Sequence, residues 1–214
     1  HLARAAGPDF LVGIEHHGVD QLLRQKPLVL LAGLGLALQR LGAASIVSND
    51  PAEIQDAERV LLPGVGSATA AMQRLRAAGL IDLIPALQQP VLGICLGMQL
   101  LFERTAEGDQ SCLGILKGSV QRLQATTDRP VPHMGWNQLD LIGEDPLLAQ
   151  LQQGDYVYFV HSFAATPDHN TLATTDYGGA LSAIVRRDNF WGTQFHPERS
   201  ASVGAQVLAN FLEV

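Results

Sequence analysis

Five residues restrict this chain more than any others. Gly93-Ile94-Cys95-Leu96-Gly97 follows the apolar pair Val91-Leu92 and runs into a helical pattern, so a buried strand must turn abruptly into a helix at the cysteine. In such an elbow the positions two before and two after the turning residue have no room for a side chain, and both are glycine here. The turn lifts the sulfur above the carboxyl edge of a sheet, where open α/β sheets bind ligands. The helix that follows favours a thiolate over a thiol. A free cysteine is most often a small buried apolar residue. Strand, paired glycines and helix start coincide at Cys95, which argues for a nucleophile.

The rest of the first half supports an α/β reading. Residues 28–31 read as a buried strand and 35–41 as a helix stopped by Gly42. Residues 45–47 form a second strand, 51–57 a short helix, and 60–62 a third strand broken by Pro63-Gly64. Helical spacing runs from Ala70 to Gly79 and on through 80–87, and the helix after Cys95 is expected over 96–104. Such uniformly apolar strands joined by helices predict a parallel sheet covered on both faces. In the second half, residues 120–123, 138–141, 156–160, 171–174, 183–187 and 192–195 read as strands with few helices between them. These are expected to add antiparallel strands, before a last helix over 203–212. The expected fold is a three-layer α/β domain with a mixed, mainly parallel sheet over residues 28–214, leaving 1–27 unassigned.

Charge and composition exclude several classes. A net charge of −7 argues against nucleic-acid or anionic-membrane surfaces, which need clustered Lys and Arg. Two cysteines, Cys95 and Cys112, make no disulfide scaffold, and a working thiol suits a reducing cytoplasm. Arg24 and Lys26 before the apolar run 28–38 imitate a secretion signal. The run follows the acidic residues Asp9, Glu15 and Asp20 and falls short of the about 20 residues that cross a bilayer. A strand entering a helix explains it better. No His/Cys/Asp spacing resembles a metal site, and no cofactor motif is present.

A nucleophile needs a base, and the base needs an orienter. Gln194-Phe195-His196-Pro197-Glu198 follows an apolar strand. Residues two apart on extended chain share a side, so Glu198 can hold His196 while His196 serves Cys95. Pro197 cannot donate to a central ladder and puts the pair at a strand end. An isolated His-Pro-Glu would be a surface turn; the elbow changes that reading. For an oxyanion, the Leu96 N–H is placed by the elbow, and Gly64-Val65-Gly66 can present further N–H groups through Val65 and Gly66.

Taken together, Pro63-Gly64-Val65-Gly66, Gly93–Gln99 and Phe195-His196-Pro197-Glu198 resemble the class I, triad-type glutamine amidotransferases. The resemblance spans roughly residues 28–214. Pro132–Asn137 (PHMGWN), Tyr158–Ser162 (YFVHS) and His196–Ser200 (HPERS) resemble those members that serve a separate (βα)8-barrel cyclase subunit making imidazole glycerol phosphate in histidine biosynthesis. The resemblance implies a cytoplasmic heterodimer in which Cys95, His196 and Glu198 hydrolyse glutamine to glutamate and ammonia through a glutamyl thioester. It assigns glutamine binding to Gly64, Gln99, Ser162 and Phe163, the last standing where the family more often has Tyr. It assigns the partner interface to His133, Met134, Trp136, Asn137 and Arg199; a large aromatic flanked by Gly and Met suits an anchor better than it suits an ordinary core Trp. The sequence departs from the family near its front, where Ala32-Gly33-Leu34-Gly35 replaces a D-x-G-x-x-N loop. That departure bears on coupling to the partner.

Overall fold

Val60, Leu61, Leu62, Val91 and Leu92 are wholly buried, the expected state of strands covered on both faces. Around them the computed structural model describes residues 11–15, 29–64 and 66–214. In chain order these form β1 (Leu11–Glu15), α1 (Val29–Arg40), β2 (Ala44–Ser48), α2 (Pro51–Asp56), β3 (Arg59–Gly64), α3 (Ala68–Ala77), α4 (Leu83–Ala86), β4 (Val91–Cys95) and α5 (Leu96–Leu100). Then follow β5 (Phe102–Thr105), β6 (Gln110–Ser111), β7 (Leu116–Arg122), β8 (His133–Gln138), β9 (Asp140–Leu141), β10 (Tyr156–His161), β11 (Phe163–Ala165), β12 (Thr171–Asp176), β13 (Ala180–Arg187), β14 (Phe190–Thr193) and α6 (Ala201–Glu213).

The main sheet has the order β2-β1-β3-β4-β14-β13-β12-β9. Among the described residues, only β3–β4 and β4–β14 of this sheet pair in parallel. The sheet is therefore mixed, as expected, but its parallel part is a three-strand centre rather than the majority. Its two faces carry separate cores, because alternate residues of one strand point to opposite sides. Val60, Leu62 and Val91 pack with Met72, Leu75, Leu80 and Ile84 of the α3–α4 side. Leu61, Leu92 and Ile94 pack with Leu34 and Leu38 of α1 and with Val207, Leu208 and Phe211 of α6. Helices on both faces of a sheet make the expected three layers.

Three expectations change. The strand expected at residues 28–31 is the start of α1, which runs unbroken to Arg40 and so absorbs the helix expected at 35–41; Leu28 lies outside the described residues. Among the described side chains of α1, Leu34 and Leu38, one turn apart, are the buried ones. The strand at this end of the sheet is β1, inside the segment left unassigned by sequence, pairing antiparallel with both β2 and β3. The helix after Cys95 stops at Leu100, and Phe102–Thr105 becomes a strand paired in parallel with β7. Sheet pairing there overrides helical propensity. Outside the main sheet, β8 and β10 form a two-stranded ribbon and β11-β7-β5-β6 a small sheet.

Candidate active site

The elbow is built as its glycines demand. Cys95 ends β4 with φ 53° and ψ −108°, a strained backbone for a residue with a side chain. A Cβ on Gly93 would lie 2.7 Å from backbone atoms of Gly97 and Met98, and a Cβ on Gly97 would run into the Leu62 carbonyl oxygen. A Cβ on Gly64 would meet the backbone nitrogen of Gly97 at 2.5 Å. These three positions let β3 and β4 approach the first turn of α5.

His196 emerges just beyond β14, the strand beside β4, and comes close enough to Cys95 for the two groups to influence each other's charge. Its Nδ1 lies 2.9 Å from Glu198 Oε1, with both side chains almost wholly buried. Glu198 Oε2 is buried without a hydrogen-bond partner among the described residues. Burial alone would lower the His196 pKa; the interactions with Cys95 and with the hydrogen-bonded Glu198 outweigh it and raise it from 6.5 to about 10. The imidazole is thus held as a cation between two groups that can carry negative charge.

The ribbon strand β10 supports this arrangement from one side. The Tyr158 carbonyl accepts from the His196 backbone N–H at 3.0 Å, and the Tyr158 N–H donates to Ser200 Oγ at 2.9 Å. Ser200 Oγ in turn donates to the His196 carbonyl at 2.7 Å. The Val160 carbonyl lies 3.8 Å from the Cys95 sulfur.

Gln99, buried on α5, sends its amide nitrogen to the Phe163 carbonyl at 2.8 Å and to Gln194 Oε1 at 3.0 Å. That nitrogen is fully used within the chain, leaving Oε1 for a ligand. Ser162 and Phe163 follow β10 at this edge; the Ser162 carbonyl is taken by the Leu123 N–H at 2.9 Å. Leu96, buried beside Cys95, and Gly66, with φ +86°, flank the sulfur's edge of the sheet, whereas Val65 lies outside the described residues.

The residues assigned to an interface divide. Met134 and Trp136 are 66% and 53% exposed on the outer face of the ribbon, and Trp136 pairs directly with Tyr158. The exposed Arg199 lays its guanidinium 4.3 Å above the Tyr158 ring. His133 is a correction: it is buried, stacked between Phe159 and Tyr177, and cannot meet a partner. Its Nδ1 lies 3.0 Å from His161 Nε2. Asn137 is half-buried and binds His133 Nε2 and the Asp176 carbonyl, so it braces the ribbon from within. Burial lowers both histidines to about 4; for His161, repulsion from His133 and His196 adds to it against a hydrogen bond to the Phe163 carbonyl.

Sequence reasoning passed over Gln194, His161 and Ser200. Gln194 lies two residues before His196 on extended chain, so the alternation that paired His196 with Glu198 also reaches it. Ser200 and His161 carry no such signal; only the packing of β10 against residues 196–200 brings them in.

The pattern of the glutamine amidotransferase class-I family matches residues 34–214, most of the chain. The chain is a class I glutamine amidotransferase. Among curated relatives, this amidotransferase is 50% identical over 184 residues to imidazole glycerol phosphate synthase subunit HisH of Xanthomonas euvesicatoria, covering 86% of this chain and 92% of that one. It is 45% identical to the HisH subunit of Pasteurella multocida over 183 residues, with the same two coverages. A crystal structure described as a glutamine amidotransferase shares the fold with a TM-score of 0.66 at 19% identity, over 85% of this chain and 92% of that chain. The glutaminase domain of Trypanosoma brucei CTPS, solved with bound acivicin, shares it with a TM-score of 0.58 at 14% identity, over 86% and 87% of the two chains. Among the described residues no helix is long and apolar enough to cross a membrane, and no His/Cys/Asp/Glu group could hold a metal ion.

Proposed function

We infer that this amidotransferase is the glutaminase subunit of an imidazole glycerol phosphate synthase, working in histidine biosynthesis in the cytoplasm. The pathway rests on the HisH relatives, which span most of the chain at 45–50% identity. The chemistry rests on one observation: His196 sits between Cys95 and the Glu198 carboxylate, held in place by both.

In this reading the Cys95 thiolate attacks the side-chain amide carbon of glutamine. The negative oxygen that forms is met by the backbone N–H groups of Leu96, Val65 and Gly66. Protonated His196 gives its proton to the departing nitrogen as the C–N bond breaks, leaving ammonia and a γ-glutamyl thioester on Cys95. Water then attacks the thioester, giving its proton to His196; the C–S bond breaks, and glutamate leaves with the thiolate restored. Glu198 fixes the imidazole tautomer and offsets its charge throughout. Gly64, Gln99 and the Ser162-Phe163 turn form the glutamine pocket.

The ammonia passes to a (βα)8-barrel cyclase subunit, which turns a phosphorylated ribulosyl imidazole-carboxamide into imidazole glycerol phosphate and the aminoimidazole-carboxamide ribotide. Met134, Trp136 and Arg199 supply the docking face of this heterodimer. A contiguous exposed aromatic and methionine surface on a ribbon that also braces His196 supports that assignment.

The test is glutamate release from glutamine, with and without the barrel subunit and its ligand. Turnover is expected to rise with the partner and to vanish in Cys95→Ala; undiminished turnover in that variant refutes the reading. One observation favours a second possibility, a subunit that docks without being switched on. Residues 32–35, which stand where the family has its D-x-G-x-x-N loop, lie inside α1. Labelling of Cys95 by a glutamine-like electrophile in the complex separates the two, since a docking subunit stays unlabelled.

A further inference from the structure

Gln194 is wholly buried, yet it carries a polar amide whose nitrogen has one partner among the described residues, the Cys95 sulfur at 3.8 Å. Which end of that amide faces the sulfur follows from its neighbours. The Phe163 carbonyl can only accept, and it takes hydrogens from His161 Nδ1 and from Gln99 Nε2, both at 2.8 Å. The nitrogen of Gln99 is thereby fixed, and its second hydrogen points at Gln194 at 3.0 Å. An acceptor must stand there, so Oε1 of Gln194 faces Gln99 and its N–H group faces the sulfur. Reversing Gln194 would set two donors against each other between two buried side chains, and a buried donor left without an acceptor is costly.

The same frame extends outward. His161 spends its Nδ1 hydrogen on Phe163, so its Nε2 accepts from His133 Nδ1, and His133 Nε2 accepts from Asn137. Every donor from Asn137 to the sulfur then has a single direction. The Cys95 sulfur has two kinds of neighbour besides His196. The Val160 carbonyl can take the S–H hydrogen of a thiol but repels a thiolate. The Gln194 N–H does the reverse, because a hydrogen bond to an ionised acceptor is stronger than one to a neutral acceptor.

We propose that Gln194 is a further catalytic residue, an amide donor aimed by Gln99 that holds the Cys95 thiolate and offsets the Val160 carbonyl. The proposal rests on Cys95 being the nucleophile. Gln194 acts twice in one turnover, on the attacking thiolate and on the thiolate expelled when water resolves the thioester. Its other face keeps Gln99 in register with the Phe163 backbone.

The test is alkylation of Cys95 by iodoacetamide in the full chain, followed from pH 6 to 10 by mass spectrometry of the Cys95 peptide. Cys112 serves as internal reference, since burial, with the Glu107 charge adding, raises its thiol to about 11. Gln194→Met keeps the volume and removes the N–H group. At pH 7 its Cys95 rate should fall about tenfold, the effect expected of one hydrogen bond to a charged group, and should converge on the wild-type rate at high pH. A rate within twofold of wild type at pH 7 overturns the proposal. Should Gln194→Met not fold, the side-chain amide signal of Gln194 in the wild-type chain, labelled with 15N glutamine, decides. It should move on alkylation of Cys95, and a signal that stays put overturns the proposal. Failure of the underlying reading looks different: wild-type Cys95 would alkylate no faster than Cys112 at pH 7, and the proposal would fall with it.

Discussion

Acid should unfold this chain through its buried histidine pair. His133 and His161 share a hydrogen bond of 3.0 Å under the ribbon, and neither ring can accept a proton without losing it or leaving a donor against a donor. Both are lowered from 6.5 to about 4, by burial first. A group that binds its proton more weakly when folded costs nothing above the unfolded value, so this stability is complete above pH 6.5 and is lost as the pH falls toward 4. At about 1.4 kcal/mol per pH unit for each proton, going from pH 7 to 4.5 removes about 2 kcal/mol per histidine. The pair then removes about 4–5 kcal/mol, a large share of the about 5–15 kcal/mol that holds a domain together. Urea denaturation at a series of pH values measures it. In His161→Gln, whose amide can still donate to the Phe163 carbonyl, the slope of stability against pH between 6.5 and 4.5 should fall by about 1.4 kcal/mol per unit. Parallel losses in the two proteins would refute the reasoning. His196 cannot mimic the effect: its pKa is raised to about 10, so its contribution is full below 6.5 and is lost only as the pH rises through 10.

Glu198→Gln should keep the fold and lower glutamine turnover by about a hundredfold or more, because the amide cannot balance the imidazolium; steady-state kinetics of the complex measures it, and an unchanged kcat contradicts it. Gly97→Ala drives a methyl group into the Leu62 carbonyl. A loss of about 3 kcal/mol, or about 6–12 °C in Tm by calorimetry, is expected. Trp136→Ala should weaken binding of the barrel subunit by about 2 kcal/mol in titration calorimetry, leaving the melting temperature of the isolated chain unchanged.

How much could be read beforehand depended on how locally each feature is encoded. The elbow was legible because steric exclusion at Gly93 and Gly97 writes itself into adjacent residues. The triad was legible because residues 196 and 198 share one side of an extended chain. The run at 28–31 was not, since four apolar residues fit a buried strand and a buried helix equally. The decision was made by Leu34 and Leu38 packing against α6. The ribbon strand β8 escaped for a physical reason: its polarity is inverted. His133 and Asn137 face inward while Met134 and Trp136 face solvent, so the usual rule of apolar side inward gives no strand at all. His133 was therefore assigned to the surface through its motif, when stacking with Phe159 and Tyr177 keeps it inside.

The backbone of Cys95 sets reactivity against durability at a single residue. With φ at 53°, this is a position where a glycine is at ease and any side chain is strained by about 1–3 kcal/mol. Among variants that lack the thiol, Cys95→Gly should therefore melt higher than Cys95→Ala, the opposite of the order found inside a helix or strand. Selection for stability alone would drift this site toward glycine and silence the chain. The sulfur persists there only as long as its chemistry is needed.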